Sequence, residues 1–306
     1  MPDARTDAAG LAGVGVPLAS QPVQVTGATA DTREKRKLGL GFWLPVGWLA
    51  LVLFLAVAAP VLPLQDPLRT APTASPGETP SAEHLLGTDN LGRDTLSRLV
   101  WGSRVALTVG IVAIGIGMAV GSTIGLLAGY FRGITERILM SVVDIMLAFP
   151  ALVLAIAIVV FLGNSLRNVA IAVAVVSTPA FARITRAATL SFAQREFVTA
   201  ARLIGARHRR IIVREILPNV IFPVVAFALV VVALAIVAEG GLAFLGLSVP
   251  LPRPSWGSMI VAGKDDLDRF PLVSLTPAFV MFLTVLSFNL LGDKFRELFN
   301  VQEAKL

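Results

Sequence analysis

The sequence predicts an all-α integral membrane protein with six transmembrane helices, and three features of the chain support this fold class. Hydrophobic residues make up 55% of the 306 residues, charged residues only 15%, and the mean hydropathy is +0.78. So apolar a composition is not typical of a soluble domain of this length. The apolar residues also gather in runs long enough to cross a bilayer. Because the chain has no cysteine, disulfides and thiolate metal sites are excluded and helix packing must stabilise the fold.

Six apolar runs are long enough to span the hydrocarbon layer, which takes about 20 helical residues. They lie near residues 40–62, 105–130, 138–162, 168–190, 219–247 and 273–291. The second run carries glycine at positions 117, 121, 125 and 129. Because such a stripe of small residues lets another helix approach closely, we predict a tight helix pair there.

The distribution of basic residues predicts the orientation. With the N terminus in the cytoplasm, most of the 26 lysines and arginines fall in cytoplasmic segments, as the positive-inside rule requires. We therefore expect a multi-pass membrane protein, surrounded by membrane lipid, with both termini in the cytoplasm; the family resemblance given below implies the bacterial cell membrane. The net charge of +6 follows from the same bias. It indicates no nucleic-acid partner, because the basic residues lie at membrane edges without interleaved aromatic residues.

The chain divides into five predicted segments. These are a disordered cytoplasmic tail at 1–38, a first transmembrane helix at 39–63, an extracytoplasmic segment at 64–103, a core of five transmembrane helices at 104–298 and a cytoplasmic C-terminal tail at 299–306. The first apolar run also resembles a secretory signal, with Ala56-Val57-Ala58 as its cleavage site. It is longer than a typical signal core, which favours an uncleaved anchor.

A basic, amphipathic segment from Glu196 to Asn219 separates two long apolar runs. Ala200, Ala201 and the residues before them suit a short helix, and Gly205 supplies a turn with φ above zero. A second short helix should follow and end at Pro218, because proline lacks a backbone donor. So much charge between two spans indicates a soluble partner. Binding of the arginines to anionic lipid is the alternative, and it would need neither the glycine turn nor the proline stop.

The order of Ala200-Ala201, Gly205 and Leu217-Pro218 resembles the EAA loop of binding-protein-dependent ABC transporter permeases. In that family the loop forms a coupling helix that sits in a groove of the ATPase subunit; here threonine stands at position 199, where the family usually has glutamate. The resemblance implies a type I ABC importer permease fold with a cytoplasmic coupling-helix loop. The residues that it assigns to ATPase coupling are Glu196, Ala200, Ala201, Gly205, Ala206, Arg209, Arg210, Leu217 and Pro218.

The residues from His84 to Arg104 resemble the entrance segment of one permease branch, the C-type subunits of dipeptide, oligopeptide and nickel importers. Thr88 or Asp89 can cap a short helix there, and polar and apolar residues recur after it at helical spacing. One predicted role of this segment is contact with a solute-binding protein. The other is to brace the outer ends of the spans. The residues predicted for the contact are Asp89, Arg93, Asp94 and Trp256.

Two carboxylates lie inside predicted spans, where isolated charge is costly and a functional role is the default hypothesis. Asp144 lies about two turns from the cytoplasmic end, where Arg137 can neutralise it, so we favour a structural ion pair or cap. Glu239 lies deeper and could gate, brace or line a substrate path. Glu239, residues 244–247 and residues 254–257 match the resembled family's pattern at the outer end of this helix.

The chain lacks the sequence patterns of a nucleotide, catalytic or metal site. Gly257 to Lys264 comes nearest to a phosphate-binding loop, but five residues instead of four separate its glycines. His84 and His208 are the only histidines, and they are predicted to lie on opposite sides of the membrane. The acidic residues after Lys264 lack EF-hand spacing and fit a solvated loop. We therefore expect no catalytic residue and no cofactor in this chain, with ATP and magnesium held by partner ATPase subunits.

The resemblance extends from about His84 to Arg296 and implies that residues 104–298 form an ABC permease core. It implies an ATP-driven importer that combines this non-catalytic chain with a homologous second permease subunit, two ATP-binding subunits and an extracytoplasmic solute-binding protein. Di- or oligopeptides are the first choice of substrate, with nickel chelates left open. The alternatives are an ion-coupled secondary transporter or channel that uses Asp144 and Glu239, and a non-transporting scaffold.

Overall fold

The computed structural model describes residues 39–70 and 75–303, with side chains described as far as Leu298. Within these residues every regular element is helical, apart from one isolated bridge between Thr88 and Asp94. The predicted all-α fold is therefore confirmed. The predicted N-terminal tail, residues 1–38, lies outside the described residues.

The α-helices are numbered α1 to α11 in chain order across the described residues. Their bounds are α1 Leu40–Ala58, α2 Thr95–Leu107, α3 Ile114–Phe131, α4 Gly133–Leu147, α5 Ala151–Leu162, α6 Leu166–Phe192, α7 Glu196–Leu203, α8 His208–Arg210, α9 Leu217–Phe244, α10 Trp256–Gly263 and α11 Pro271–Glu303. Two π-helical segments, Thr108–Ala113 and Ile211–Ile216, join α2 to α3 and α8 to α9. A 3-10 turn, Lys264–Asp266, follows α10.

Five continuous helical stretches of the described chain are long and apolar enough to cross a membrane. They are Leu40–Ala58, Thr95–Phe131, Leu166–Phe192, His208–Phe244 and Pro271–Leu298. The second starts well before the predicted span at 105, inside the segment that we predicted to be extracytoplasmic. α11 continues past the predicted boundary at residue 298.

The predicted span at residues 138–162 is not one straight helix. α4 and α5 meet at an angle of 85°, so the pair adds a sixth span only if its two halves cross the membrane together. The break falls at Pro150, whose backbone is extended with ψ at 130°. Proline cannot continue the helical hydrogen bonds, and it disfavours helical backbone at the residue before it. The predicted span is therefore interrupted at this position.

The glycine stripe of α3 packs directly on α6. A Cβ atom at Gly121 would lie 2.7 Å from Phe181 Cβ, and one at Gly129 would lie 2.8 Å from Thr189 Cβ. Contacts this close are possible only without side chains on α3, so the tight helix pair predicted from the glycine spacing is confirmed.

α9 contributes to the centre of the fold, whereas α1 lies at its edge. Buried side chains of α9, among them Val224, Ile236 and Leu242, join the core that α9 forms with α6 and α11. α1 exposes most of its side chains, and Trp48 Nε1 ties it to α11 by donating to Thr284 Oγ1 at 3.0 Å. Most of α4 and α5 is exposed as well, which leaves their apolar surfaces to lipid or to another chain.

Candidate functional site

The basic segment between α6 and α9 folds as a helix, a tight turn and the start of a second helix. α7 ends at Leu203, and Gly205 follows with φ at +78°. The N–H of Gly205 donates to Arg202 O and the N–H of Ala206 donates to Ala201 O, both at 3.0 Å. Because a side chain would strain the backbone at this φ, glycine suits the position and the predicted turn is confirmed.

One face of this loop is anchored in the protein and the other is exposed. Val198 and Ala201 are buried, whereas Leu203 and Ile204, which we call the loop tip, expose 83% and 79% of their surface. Adjacent apolar side chains that are this exposed favour an interaction surface. Of the residues predicted for coupling, Glu196, Ala200, Gly205, Arg209, Arg210 and Pro218 are exposed, Ala206 and Leu217 are half-buried and Ala201 is buried. The sequence prediction did not include the loop tip, although two apolar residues directly before the glycine turn were a usable signal.

Pro218 does not end the second helix, and this prediction was wrong. The chain stays helical from His208 to Phe244, and the turn that precedes the proline, Ile211–Ile216, is π-helical. Hydrogen bonds in a π-helix reach five residues back, and the wider turn accommodates a ring that lacks a donor. The second half of the loop and α9 are therefore one continuous helix.

Tyr130, the only tyrosine of the chain, joins the end of α3 to both halves of the loop. Its hydroxyl lies 2.8 Å from His208 Nδ1, in α8. The guanidinium carbon of Arg202, in α7, lies 5.5 Å from the centre of the tyrosine ring in a cation–π contact. Phe131 adds a second ring, 5.8 Å from the His208 ring. The sequence prediction overlooked Tyr130, because nothing in the local sequence shows that the loop folds back onto the end of α3.

The segment before α2 contains buried charged side chains. Asp94 caps α2 by accepting a hydrogen bond from the N–H of Ser97 at 2.7 Å, and its other carboxylate oxygen lies 3.1 Å from His84 Nδ1. The helix cap is therefore Asp94, and the prediction of Thr88 or Asp89 was wrong. Asp89 instead organises the turn that leads to the helix, so the cap lies one turn later than the sequence suggested.

Asp89 pairs with two arginines, Arg93 in the same segment and Arg98 in α2. Its Oδ2 lies 2.7 Å from Arg93 Nε and 3.3 Å from Arg98 Nε, and its Oδ1 accepts from the N–H of Arg93. All three side chains are buried. Uncovering paired buried charges for another protein would be costly, so these positions fit the bracing role better than direct contact.

Trp256, the remaining residue predicted for contact, is also buried. Its Nε1 donates to Leu99 O at 3.0 Å and braces α10 against α2. Exposed apolar surface near this cluster is found at Leu85 and Leu91, which expose 64% and 56% of their surface and which we call the outer patch. All four residues predicted for the contact, Asp89, Arg93, Asp94 and Trp256, are therefore buried, and their contact with a binding protein stays a prediction that this burial does not favour.

Glu239 is buried near the end of α9 and contacts the elements that follow it. It accepts a hydrogen bond from the Ser248 hydroxyl, and the Ser255 hydroxyl is a second partner. Ser255 is also the N-cap of α10. A Cβ atom at Gly257 would lie 2.6 Å from Gly240 Cα, so α9 and α10 touch through glycines beside the carboxylate. One side chain thus joins α9, the connecting loop and α10.

Asp144 forms the predicted ion pair, but Arg137 is not its partner. Asp144 Oδ1 accepts from Arg183 Nη2 at 2.8 Å, which joins α4 to α6. A second ion pair, between Glu136 and Arg186, joins the same two helices. The partner was predicted wrongly because sequence spacing shows neighbours on one helix and not the side chains of a helix packed across from it.

Metal binding has no candidate cluster in the part of the chain that the structure describes, where no three His, Cys, Asp or Glu side chains are placed to share an ion. The two histidines make other contacts. His84 lies against Asp94, and His208 lies against Tyr130.

Comparison with known proteins places these features in one family. A family profile described as binding-protein-dependent transport system inner membrane component matches residues 121–301, which include most of the glycine stripe, the loop and Glu239. The chain is 43% identical over 220 residues to the glutathione transport system permease protein GsiD of Pectobacterium atrosepticum, covering 72% of this chain and 73% of that protein. It is 39% identical over 266 residues to the dipeptide transport system permease protein DppC of Alkalihalophilus pseudofirmus, covering 86% of each.

A solved structure has the same fold. The match is to a chain of the MetNI methionine ABC transporter, described in inward facing conformations, with a TM-score of 0.55 and 19% sequence identity. It covers 66% of this chain and 96% of the other. At this identity the likeness concerns the arrangement of helices alone.

Proposed function

Because this chain belongs to the family of binding-protein-dependent transport system inner membrane components, we propose that it carries di- or oligopeptides as one permease subunit of an ATP-driven importer. The relatives are named for glutathione and dipeptide transport, and both of these substrates are small peptides. The chain itself is a non-catalytic, multi-pass protein of the inner membrane.

The proposed importer contains a homologous second permease subunit, two ATP-binding subunits and an extracytoplasmic solute-binding protein. The positive-inside bias supports a cytoplasmic loop tip, cytoplasmic termini and an outward-facing segment before α2. ATP and magnesium belong to the ATP-binding subunits. This chain supplies half of the translocation pathway and the element that couples it to ATP.

The exposed loop tip is the observation that carries the coupling role. Leu203 and Ile204 would enter an apolar groove of an ATP-binding subunit, beside the positive charge of Arg209 and Arg210. Apolar side chains that lie in water in the free chain gain most by such burial. The glycine turn holds them at the end of the loop, where both side chains can enter the same groove.

The connections of the loop support a mechanism for coupling. Closure of the ATP-binding subunits displaces the loop, and α9 moves with it because α8 and α9 are one continuous helix. Tyr130 carries the same displacement to α3, which the glycine stripe holds against α6. The membrane helices then pass from inward to outward access, and ATP hydrolysis resets them. Such coupling requires loop contacts that differ between the two states.

An ion-coupled secondary transporter would instead use Asp144 and Glu239 as ion carriers. Their surroundings favour structural roles, because Asp144 is paired with Arg183 and Glu239 is enclosed by hydroxyls and glycines. Neither arrangement offers a carboxylate that is free to exchange ions.

Reconstitution into proteoliposomes tests the proposed function. The chain would be purified from its native membrane with its partners, and uptake of a labelled dipeptide would be measured with ATP inside or with an imposed ion gradient. We expect uptake that requires ATP and the binding protein, and an Asp144→Asn variant that keeps most of it. Purification of the chain alone, together with uptake driven by the ion gradient without ATP, would overturn the proposal. Peptide specificity is tested separately, by competition with unlabelled peptides and a nickel chelate.

A further inference from the structure

A cavity of about 670 Å³ opens where α1 ends beside α2. Ala59, Pro60 and Leu62 form one wall, directly after α1. Trp101, Arg104 and Val105 of α2 form another. The segment Leu64 to Leu68 forms a third wall, and Thr108, Leu166, Arg253 and Pro254 complete the lining. The volume suits a small organic ligand, and the walls combine an apolar interior with cationic groups.

Two arginines of this lining have no acidic partner among the residues that the structure describes. Arg104 lies over the ring of Trp101, with 5.2 Å between its guanidinium carbon and the ring centre, and its side chain is exposed. Arg253 is exposed in the loop between α9 and α10. The carboxylate of the lining, Asp66, already pairs with Arg69 at 3.3 Å. Two uncompensated guanidinium groups that line one cavity favour an anionic ligand, and guanidinium groups bind phosphate well.

The position of Arg104 along its helix places it at the depth of lipid headgroups. α2, the π-helical turn and α3 form one continuous helical stretch, in which the distance from Arg104 to Tyr130 is roughly 40 Å at about 1.5 Å per residue. A bilayer with both headgroup layers is about 40–45 Å thick. With Tyr130 and the loop at one membrane surface, Arg104 therefore lies in the headgroup layer of the other.

α1 gives the same depth independently. Its 19 residues span roughly 28 Å at about 1.5 Å per residue, close to the thickness of the hydrocarbon layer, and the cavity begins where α1 ends. Trp101 also fits this level, because tryptophan is enriched at membrane–water interfaces. The cavity thus opens at the boundary between the headgroup layer, which contains the lipid phosphates, and the hydrocarbon layer, which contains the acyl chains.

We propose that the cavity binds an anionic phospholipid. Its phosphate lies between Arg104 and Arg253, and its acyl chains follow the apolar wall towards the exposed surface of α1. A lipid without an ammonium group, such as phosphatidylglycerol, is favoured over phosphatidylcholine, because the two arginines repel a second cation. The lipid fills the space between the peripheral helix α1 and the core. This assignment depends on the membrane location of the chain and not on the proposed import of peptides.

Native mass spectrometry of the purified complex, titrated with phosphatidylglycerol or phosphatidylcholine of identical acyl chains, tests this site. Wild type should bind phosphatidylglycerol about tenfold more tightly, and a variant with both Arg104→Gln and Arg253→Gln should lose that preference. Arg104→Lys should keep most of it because the charge remains. Arg167→Gln is the matched control, since Arg167 is an exposed arginine next to Leu166 that does not line the cavity.

Equal binding of the two lipids by wild type would overturn the proposal, and so would an unchanged preference in the double variant. Displacement of the lipid by glycerol phosphate, which has no acyl chains, would assign the site to a soluble anion and reject the lipid. If the double variant instead loses the second permease subunit while its lipid binding is unchanged, the cavity is part of a protein interface. That result would also reject the lipid site. If the double variant fails to fold, Arg253→Gln alone decides: an unchanged preference then contradicts the assignment.

Discussion

Glu239 joins three parts of the chain through two hydroxyl groups. Ser248 donates to its carboxylate from the loop after α9, and Ser255 adds a contact from the N-cap of α10. Removing the carboxylate would leave buried hydroxyls without an acceptor, at a cost of about 1–3 kcal/mol. An amide of the same shape keeps an acceptor oxygen. The bracing role therefore depends on shape and hydrogen bonding, whereas a role in ion transport would depend on charge.

We accordingly predict different effects for two substitutions of this residue. Glu239→Gln should leave thermal stability and peptide uptake close to wild type, because one hydrogen bond acceptor remains. Glu239→Ala should lower the free energy of unfolding by about 1–3 kcal/mol and reduce the yield of folded protein. Thermal unfolding in detergent and uptake in proteoliposomes would be measured for both variants. A glutamine variant that is stable yet inactive would place Glu239 in an ion path instead.

The helix pair α3–α6 shows how a single methyl group can act on a whole element. A Cβ atom at Gly121 would press on the Phe181 side chain and on the backbone of α6, whereas nothing lies within 4 Å of a Cβ atom at Gly115. We predict that Gly121→Ala costs about 1–3 kcal/mol by overpacking, and that Gly115→Ala is neutral or slightly stabilising. The measurement is the temperature at which half of the detergent-solubilised protein remains monodisperse. Equal losses for the two variants would mean that the stripe is not the contact between these helices.

Tyr130 connects the loop to the same helix pair through two contacts. One substitution removes only the hydroxyl contact, and another removes both. Tyr130→Phe removes the hydroxyl that meets His208 but keeps the ring under Arg202, and Tyr130→Leu removes both. We predict that ATP hydrolysis persists in both variants while peptide uptake per ATP falls, by about twofold for Phe and about tenfold for Leu. A double-mutant cycle that combines Tyr130→Phe with His208→Asn should show non-additive losses. A normal ratio of uptake to ATP in an assembled Leu variant would exclude this residue from coupling.

Glycines made some elements predictable from the sequence, whereas two prolines did not. The turn at Gly205 could be predicted because glycine tolerates a positive φ, and the α3–α6 contact could be predicted because the glycines of the stripe are regularly spaced. Proline is unfavourable inside a helix at both Pro150 and Pro218, yet only Pro150 breaks its helix, at 85°. The turn before Pro218 widens into a π-helix instead, with Ile211 and Ile216 buried at its ends. That outcome depends on tertiary packing, which local sequence does not contain.

In the candidate site, too, features that depend on local sequence could be predicted and features that depend on tertiary packing could not. Charge, a glycine and a proline between apolar runs were enough to locate the loop, because these features are local. The loop tip, the contact of Tyr130 and the partner of Asp144 depend on which residues meet across helices. The burial of the predicted contact residues before α2 was not foreseen for a related reason, since charged residues usually lie at the surface but here pair with one another inside the fold.

Two of the exposed apolar surfaces of the described chain, the loop tip and the outer patch, lie in separate segments outside the long apolar helices. The loop tip leads into α9 and touches α3 through Tyr130, whereas the outer patch lies beside the buried Asp89–Arg93 pair before α2. In the proposed importer the first meets an ATP-binding subunit and the second meets the solute-binding protein. The two contacts should therefore be separable by substitution.

We predict a double dissociation between the two surfaces. A variant with both Leu203→Asp and Ile204→Asp should lose the ATP-binding subunits on purification, because two apolar side chains buried in a groove contribute about 1.5–3 kcal/mol each, or roughly a hundredfold or more in affinity. Leu91→Asp should retain those subunits and basal ATP hydrolysis but lose most of the stimulation by the binding protein. Copurification and ATPase rates with and without the binding protein measure both effects. If Leu91→Asp also releases the ATP-binding subunits, the variant is misfolded or the two surfaces are not independent. If the loop-tip variant keeps its ATP-binding subunits at wild-type affinity, Leu203 and Ile204 are not the coupling contact.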